Sequence, residues 1–296
     1  MVVERRPSRA QKFIQFPFVR AIIALMLVGG AVIVVQLVMK PLGRYLFTTD
    51  DLPMLWLALM WMLAMLAASF AYYTYVRLIE SRPIKEFSLP GALSELGIGC
   101  LIGVGLFVCI IVILWGLGHY HVIAVSCAVF IVFPFFNFVF TAVFEELVFR
   151  GIIFRIIEES LGSWLAIVLS GLFFGFAHAF EPNASLFSSL AISLMGGVLL
   201  SAAFIYTRRL WLVIGIHFAW NFTEGGILGL AVSGKDGKGL LQSEITGSEF
   251  LSGGSFGPET SIVAIIIVLL AGLYLLWKAK EKGHFIQPFW RRKENF

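Results

Sequence analysis

Charge is what this sequence has least of. Of its 296 residues only 14% are Asp, Glu, Lys or Arg, against 59% that are hydrophobic, whereas a soluble domain carries about 25% charged residues. So little charge cannot solvate a globule of this size, which excludes a soluble enzyme or a freely exposed binding module. Asp occurs only at Asp50, Asp51 and Asp236, each in a polar stretch between apolar runs. Chemistry resting on a pair of intramembrane aspartates is therefore excluded. Cys100, Cys109 and Cys127 all sit inside apolar runs and none forms a Cys-x-x-Cys pair, so they read as small buried hydrophobes rather than a disulfide framework. The His-Glu-x-x-His signature of helical zinc peptidases is missing. There is no internal repeat and no low-complexity tract. The net charge of +4 is modest and its basic residues flank apolar runs, which reports topology and implies no nucleic-acid surface.

What the chain does have is apolar length. Phe occurs 29 times and Trp eight times, and the mean hydropathy is +0.91. A helix needs about 20 apolar residues to cross about 30 Å of hydrocarbon. That window predicts spans over 21–39, 52–76, 97–118, 122–157, 164–180, 187–206, 210–230 and 261–277. The fourth would reach about 54 Å as a straight helix. Pro134 lies within it, so it reads as one crossing broken near that proline. The expected fold class is all-α, a polytopic transmembrane bundle of about eight helices.

Lys and Arg set the expected orientation. With both termini cytoplasmic, eighteen fall in inside segments, and only Lys40, Arg44, Lys235 and Lys238 fall outside, a bias that alternates in the order eight crossings require. The basic N-terminus precedes a run too long for a signal peptide, with no small-residue cleavage site, and reads as an uncleaved first helix. Residues 77–96 mix charged and apolar residues, as expected of a segment along the inner membrane surface. Residues 233–260 are rich in Gly and Ser, which predicts a flexible outer loop.

A charged group inside a bilayer costs about 2.5–3.5 kcal/mol on insertion scales, so those that occur there need a reason. They are Glu145, Glu146 and Arg150 in the fourth span, His178 in the fifth and His217 in the seventh, with Glu224 near that span's outer end. Glu146 and Arg150 are an i,i+4 pair, which leaves Glu145, about 100° around the helix, uncommitted. Glu145 could instead mark a solvated helix end, but apolar residues continue to the next stop, Glu158-Glu159-Ser160. That leaves it roughly 18 Å inside that end. His178 alone would be an ordinary structural histidine, with Gly171, Gly175 and Ala177 inviting close approach of another helix. His217 and Asn221 share a face at i,i+4. One carboxylate, two imidazoles and an amide on three helices are a set.

A carboxylate withdrawn from water is a strong candidate general base, and beside an imidazole it could deprotonate a water. A second imidazole and an amide could donate to a developing oxyanion. Glu plus two His is equally a three-ligand catalytic zinc set with one open position. A metal-bound water and a metal-free, glutamate-activated one both remain open at this point.

Glu-Glu-x-x-x-Arg at 145–150, Phe-x-x-x-His at 174–178 and His-x-x-x-Asn at 217–221 together resemble the three motifs of the CPBP intramembrane proteases, which include the type II CAAX prenyl endopeptidases and Abi-type proteins. The resemblance covers roughly 75–230. It implies that 1–74 contributes membrane helices without family signal, and that 231–296 adds an outer loop, the last span and a basic cytoplasmic tail. It implies that Glu145 acts with His178 on the attacking water, or ligates a metal. Glu146 and Arg150 would orient the motif, and His217 and Asn221 would build the oxyanion hole. If a divalent metal is bound, zinc foremost, its ligands would be Glu145, His178 and His217. The resemblance further implies a cavity open to the cytoplasm, which accords with the orientation from the charge count. The implied partners are membrane lipid and a peptide or membrane-associated protein substrate, in the plasma membrane if the chain is prokaryotic. The competing readings are a proton-coupled transporter with the same groups as a relay, for which no matched inverted repeat is found, and a non-catalytic scaffold or immunity protein.

Overall fold

The computed structural model describes residues 9–49 and 52–292. The basic N-terminal flank at Arg5 and Arg6, and Asp50 and Asp51, lie outside the described residues. The fold is a bundle of apolar helices. A short α1 (Arg9–Ile14) precedes α2 (Pro17–Phe47), α3 (Met54–Leu78) and α4 (Ala92–Gly116). Next comes the long helical path of α5 (Val132–Glu146), a π-helical turn over Leu147–Phe154 and α6 (Arg155–Ala177). The chain then returns through α7 (Leu186–Leu194), a second π-helical turn at Met195–Leu200, α8 (Ser201–Thr207), α9 (Trp211–Asn221) with a third π turn at Phe222–Ile227, and finally α11 (Ile262–Glu281).

Among the described residues six helices are long and apolar enough to cross a membrane by length and composition. The protein is an integral, multi-pass membrane protein. One of the six is the run Ala128–Phe180, which reverses at Gly162, where φ is 80° and ψ 168°. Only glycine adopts that conformation without strain, and a Cβ there would sit 2.7 Å from the Pro288 nitrogen of the C-terminal segment. The two limbs that meet at Gly162 correspond to the fourth and fifth expected spans. The seventh, α9 with its π turn, is too short to count among the six.

Two expectations need correcting. Pro134 does not break a crossing. It lies in the first turn of α5, where its missing N–H would have had no helical partner, so the helix runs unbroken past it. The span also does not begin at 122. Residues Tyr120–Val125 form strand β1, antiparallel to β2 (Leu241–Ile245), with Tyr120 opposite Ile245 and a bulge between Val122 and Ala124. A hydropathy window cannot distinguish a β-branched strand from the start of an apolar helix when the pairing strand lies more than a hundred residues away.

The 233–260 segment is likewise no loose loop. It contains β2, a helical turn α10 (Glu249–Ser252) and a turn at Pro258–Thr260. Val232, Ser252, Phe256, Glu259 and Thr260 are buried. Its glycines permit tight turns, as at Gly234, where φ is 79° and a Cβ would collide with the Pro182 carbonyl. The segment caps one end of the bundle.

Two close helix crossings set the frame for the polar residues. α4 meets α9 where Gly99 faces Gly215 and Gly103 faces Ile216 and Ala219; a Cβ on Gly215 would lie 2.4 Å from the Leu96 carbonyl. α6 meets α7 at Gly171 and Gly175; a Cβ on Gly175 would lie 2.0 Å from Ser193 Oγ and 2.1 Å from the Ser189 carbonyl. This is the close approach that small residues permit in membranes. The large apolar side chains of α2, α3 and α4 that point away from these crossings, such as Leu37, Leu55 and Leu101, are exposed, as lipid-facing residues must be.

Candidate active site

Glu145 and Glu146 end α5, and the π turn that follows turns Arg150 inward. Arg150 is 1% exposed and Glu146 fully buried. Arg150 Nη1 donates to Glu146 Oε1 at 3.1 Å and Nη2 to the Gly196 carbonyl at 2.7 Å. Gly196 lies in the second π turn, where the altered register frees backbone carbonyls, and such turns are frequent at functional sites. Ser201 Oγ donates to the same carbonyl at 2.9 Å. The guanidinium also lies over the Phe174 ring, 4.8 Å from its centroid, a cation–π contact that helps a charge tolerate burial.

Both imidazoles are held by one nitrogen and present the other. His178 Nδ1 lies 2.8 Å from the Phe174 carbonyl; a carbonyl only accepts, so Nδ1 carries the proton. His217 Nδ1 lies 2.7 Å from Glu146 Oε1, again an N–H donated to an acceptor. The free Nε2 atoms then face Glu145 Oε2, His217 at 3.7 Å and His178 at 4.0 Å. These separations are too long for direct hydrogen bonds. Glu145 Oε2 is buried and has no hydrogen-bond partner. The carboxylate stands open toward two imidazoles, as its position around the helix from the Glu146–Arg150 pair predicts.

A small cavity of about 70 Å³ holds this point and is lined by Glu145, His178, His217 and Asn221 among others. That is room for ordered water. A second, larger cavity of about 580 Å³ opens beside it, walled by Trp61, Phe133, Phe138 and Phe144 and rimmed by Lys235 and Lys238. Glu145, Asn137 and Thr141 line both. All the catalytic candidates named from sequence, Glu145, His178, His217 and Asn221, thus meet at one place, with Glu146 and Arg150 directly behind.

Two features go beyond the sequence expectation. Glu146 does more than pair with Arg150, because it also holds His217. Asn137 and Thr141 line the site without having been singled out. Their signal was present: 137, 141 and 145 are spaced by four along α5, a polar stripe in an apolar span. Glu224 and Glu259 are both buried close by, and neither Glu224 oxygen has a partner. Glu259 Oε1 accepts from the Ser233 backbone N–H at 2.7 Å and its hydroxyl at 3.1 Å, tying the cap to the site, since Ser233 lines the small cavity.

The donors suit a divalent cation in kind: one carboxylate with an orphaned oxygen and two imidazole Nε2 atoms not engaged in hydrogen bonds. Across a tetrahedral zinc, with bonds of roughly 2.0–2.2 Å, donors stand about 3.4 Å apart, closer than the separations here. Among the described residues no group of three His, Cys, Asp or Glu closes to metal-binding spacing.

The expected match between cavity mouth and basic face is not met. The mouth carries Lys235, paired with Glu181 at 2.8 Å, at the far end of α6 from Arg155. Arg155, Glu80, Arg20 and Arg82 meet at the opposite end of the bundle.

Residues 127–223 match the model of the type II CAAX prenyl endopeptidase Rce1-like family. This segment, about a third of the chain, is similar to that family. The family match spans all three motifs and supports the resemblance drawn from them. The Rce1-like segment contains every residue of the constellation, whereas Lys235, Lys238 and Glu259, on the mouth and cap, lie beyond it. Neither the curated proteins nor the solved structures provide a match.

Proposed function

We propose that the chain is an intramembrane endopeptidase related to the CAAX enzymes, acting on CAAX-type or other membrane-associated peptide substrates by glutamate-activated water. One observation carries this reading: Glu145 Oε2 is buried, unpartnered and faced by two imidazole Nε2 atoms whose Nδ1 atoms are already committed. In the mechanism, Glu145 takes a proton from a water in the small cavity while His178 Nε2 accepts a hydrogen bond from the O–H that the water keeps and so orients it. The water oxygen bonds to the scissile carbonyl carbon, and the resulting oxyanion receives hydrogen bonds from Asn221 and His217. To donate there, His217 would carry protons on both nitrogens, with Nδ1–H held by Glu146. Collapse breaks the C–N bond as the proton on Glu145 passes to the leaving amine, so no proton is gained or lost over the cycle. Oxyanion donors of this kind contribute roughly 10²–10³ in rate each. A divalent ion would be held by Glu145, His178 and His217 and would supply Lewis-acid activation of the water.

The aromatic cavity beside Glu145 suits an apolar stretch of substrate. The test is cleavage of a quenched fluorescent peptide library by the purified protein in detergent, with and without zinc and after chelation. Cleavage that vanishes in Glu145→Ala supports the reading, and the chelated sample reports metal dependence. Equal signals from wild type and Glu145→Ala would defeat it.

A further inference from the structure

The two ends of this bundle differ sharply in charge, and the cavity opens on the poorer one. At one end Arg20, Arg82 and Arg155 meet Glu80 and Glu86. Arg208 pairs with Glu158 and Arg209 with Glu95 at the same end. The basic C-terminal segment joins it: Arg208 donates to the His284 carbonyl, and Arg292 Nη2 to the Glu159 carbonyl at 2.7 Å. From this end the limb after Gly162 rises about 22 Å to His178. There the chain emerges at Glu181, which pairs with Lys235, and Asn183 Nδ2 donates to the Gly234 carbonyl at 3.1 Å. The cap, the β1–β2 pair and the mouth of the 580 Å³ cavity all lie at this second end. Among the Lys and Arg of the described residues, only Lys40, Arg44, Lys235 and Lys238 fall at or near it.

Lys and Arg in short flanks are retained on the cytoplasmic side, whereas Asp and Glu contribute little to orientation. The acidic partners at the basic end therefore do not cancel its meaning. We propose that the cavity mouth faces away from the cytoplasm, so that the substrate is a peptide segment presented at the outer face of the membrane, as in a secreted or membrane-anchored precursor, and not a chain end lipidated in the cytoplasm. The substrate part of this inference rests on the endopeptidase reading; the orientation does not. The mouth fits such a peptide. Its aromatic wall would receive an apolar stretch of peptide beside Glu145, while its rim carries both signs, Lys235 paired with Glu181 and Lys238 alongside Asp236.

The orientation is read by cysteine labelling in whole cells. In a background with Cys100→Ala, Cys109→Ala and Cys127→Ala, single cysteines are placed by Lys238→Cys at the exposed rim and Lys280→Cys at the exposed basic end. Both variants are first shown to react with a membrane-impermeant maleimide after permeabilisation. In intact cells Lys238→Cys is expected to label fully and Lys280→Cys only at background. The reverse pattern, or equal labelling of both, overturns the proposal. Because this result needs no catalysis, it is separable from any failure of the protease reading. A second arm adds an impermeant quenched peptide to right-side-out and inverted vesicles; cleavage confined to the right-side-out preparation, and absent in Glu145→Ala, is expected. Cleavage confined to inverted vesicles would overturn the substrate assignment.

Discussion

Glu145 and Glu146 are adjacent in sequence and opposite in consequence, and replacing each by Gln separates their roles. Glu146 is fully buried and accepts from Arg150 and from His217. Glu146→Gln keeps the shape but removes the charge, leaving Arg150, 1% exposed, with only a carbonyl and the Phe174 ring. Breaking a buried ion pair by neutralising one partner costs about 3–5 kcal/mol. It also weakens the grip on His217 by about 1.5–3 kcal/mol, the range for a hydrogen bond to a charged group, or roughly 10–150-fold in rate at about 1.4 kcal/mol per decade. Glu145 has a side chain 20% exposed and its Oε2 has no partner to lose, so Glu145→Gln should abolish cleavage while melting within about 0.5 kcal/mol of wild type, the usual range for a change that breaks no packed or bonded feature. The double variant Glu146→Gln/Arg150→Met should regain much of the stability, since the stranded cation is gone, yet recover no activity. Thermal unfolding in detergent and peptide cleavage on the same preparations make the comparison. If Glu145→Gln destabilises as much as Glu146→Gln, Glu145 is a structural anchor and the water-activation scheme fails.

Three further outcomes follow from the same geometry. Burial alone would raise the Glu80 carboxyl, but Arg155 and Arg82 outweigh it and hold it below its ordinary range; its contribution is thus present above about pH 4.3, the unfolded value, and lost as pH falls through the lower folded value. Thermal midpoints should drop on acidification in that window, and Glu80→Gln should flatten the dependence. Burial raises the Glu259 carboxyl, although its hydrogen bonds from Ser233 oppose the shift; the stability it gives is therefore lost as pH rises above about 4.3, the unfolded value, through the higher folded value, and Glu259→Gln should gain on wild type in melting temperature over that rise. In Gly175→Val the new side chain meets Ser193 Oγ and the Ser189 carbonyl, an overpacking cost of about 1–3 kcal/mol. The α6–α7 crossing must widen and carry His178 with it, so cleavage should fall by on the order of 100-fold, whereas the same change at Gly105, which has open space around it, should leave activity intact.

The helices and the clustered ionisable groups were legible because both obey rules that act over one or two turns. Apolar length predicts a span, and an ionisable residue inside it declares itself by its cost, which is why Glu145, Arg150, His178 and His217 stood out. What escaped depends on contacts distant in sequence. Tyr120–Val125 is a strand only because Leu241–Ile245 lies beside it, and the Gly-rich cap is ordered only because Glu259, Phe256 and Val232 bury against the bundle. Glycine content reads as freedom when the surfaces it fits are not yet known.

The cap also bears on how the site can work. A constellation that activates water inside a bilayer needs two things that oppose each other: exclusion of lipid and admission of water and substrate. The helices supply the first through the Gly175 and Gly215 crossings, which leave no gap on those sides. The second must come from the one flank where α5 faces the cap rather than another helix, since Asn137, Thr141 and Glu145 look there onto Val232 and Lys235. The polar stripe of α5 and the Lys235–Glu181 pair therefore line one continuous polar flank between the rim and Glu145. Its inner wall belongs to the segment that matches the family and its rim, with Val232, Lys235 and Lys238, lies beyond it, so substitutions at the rim should shift substrate preference more than turnover.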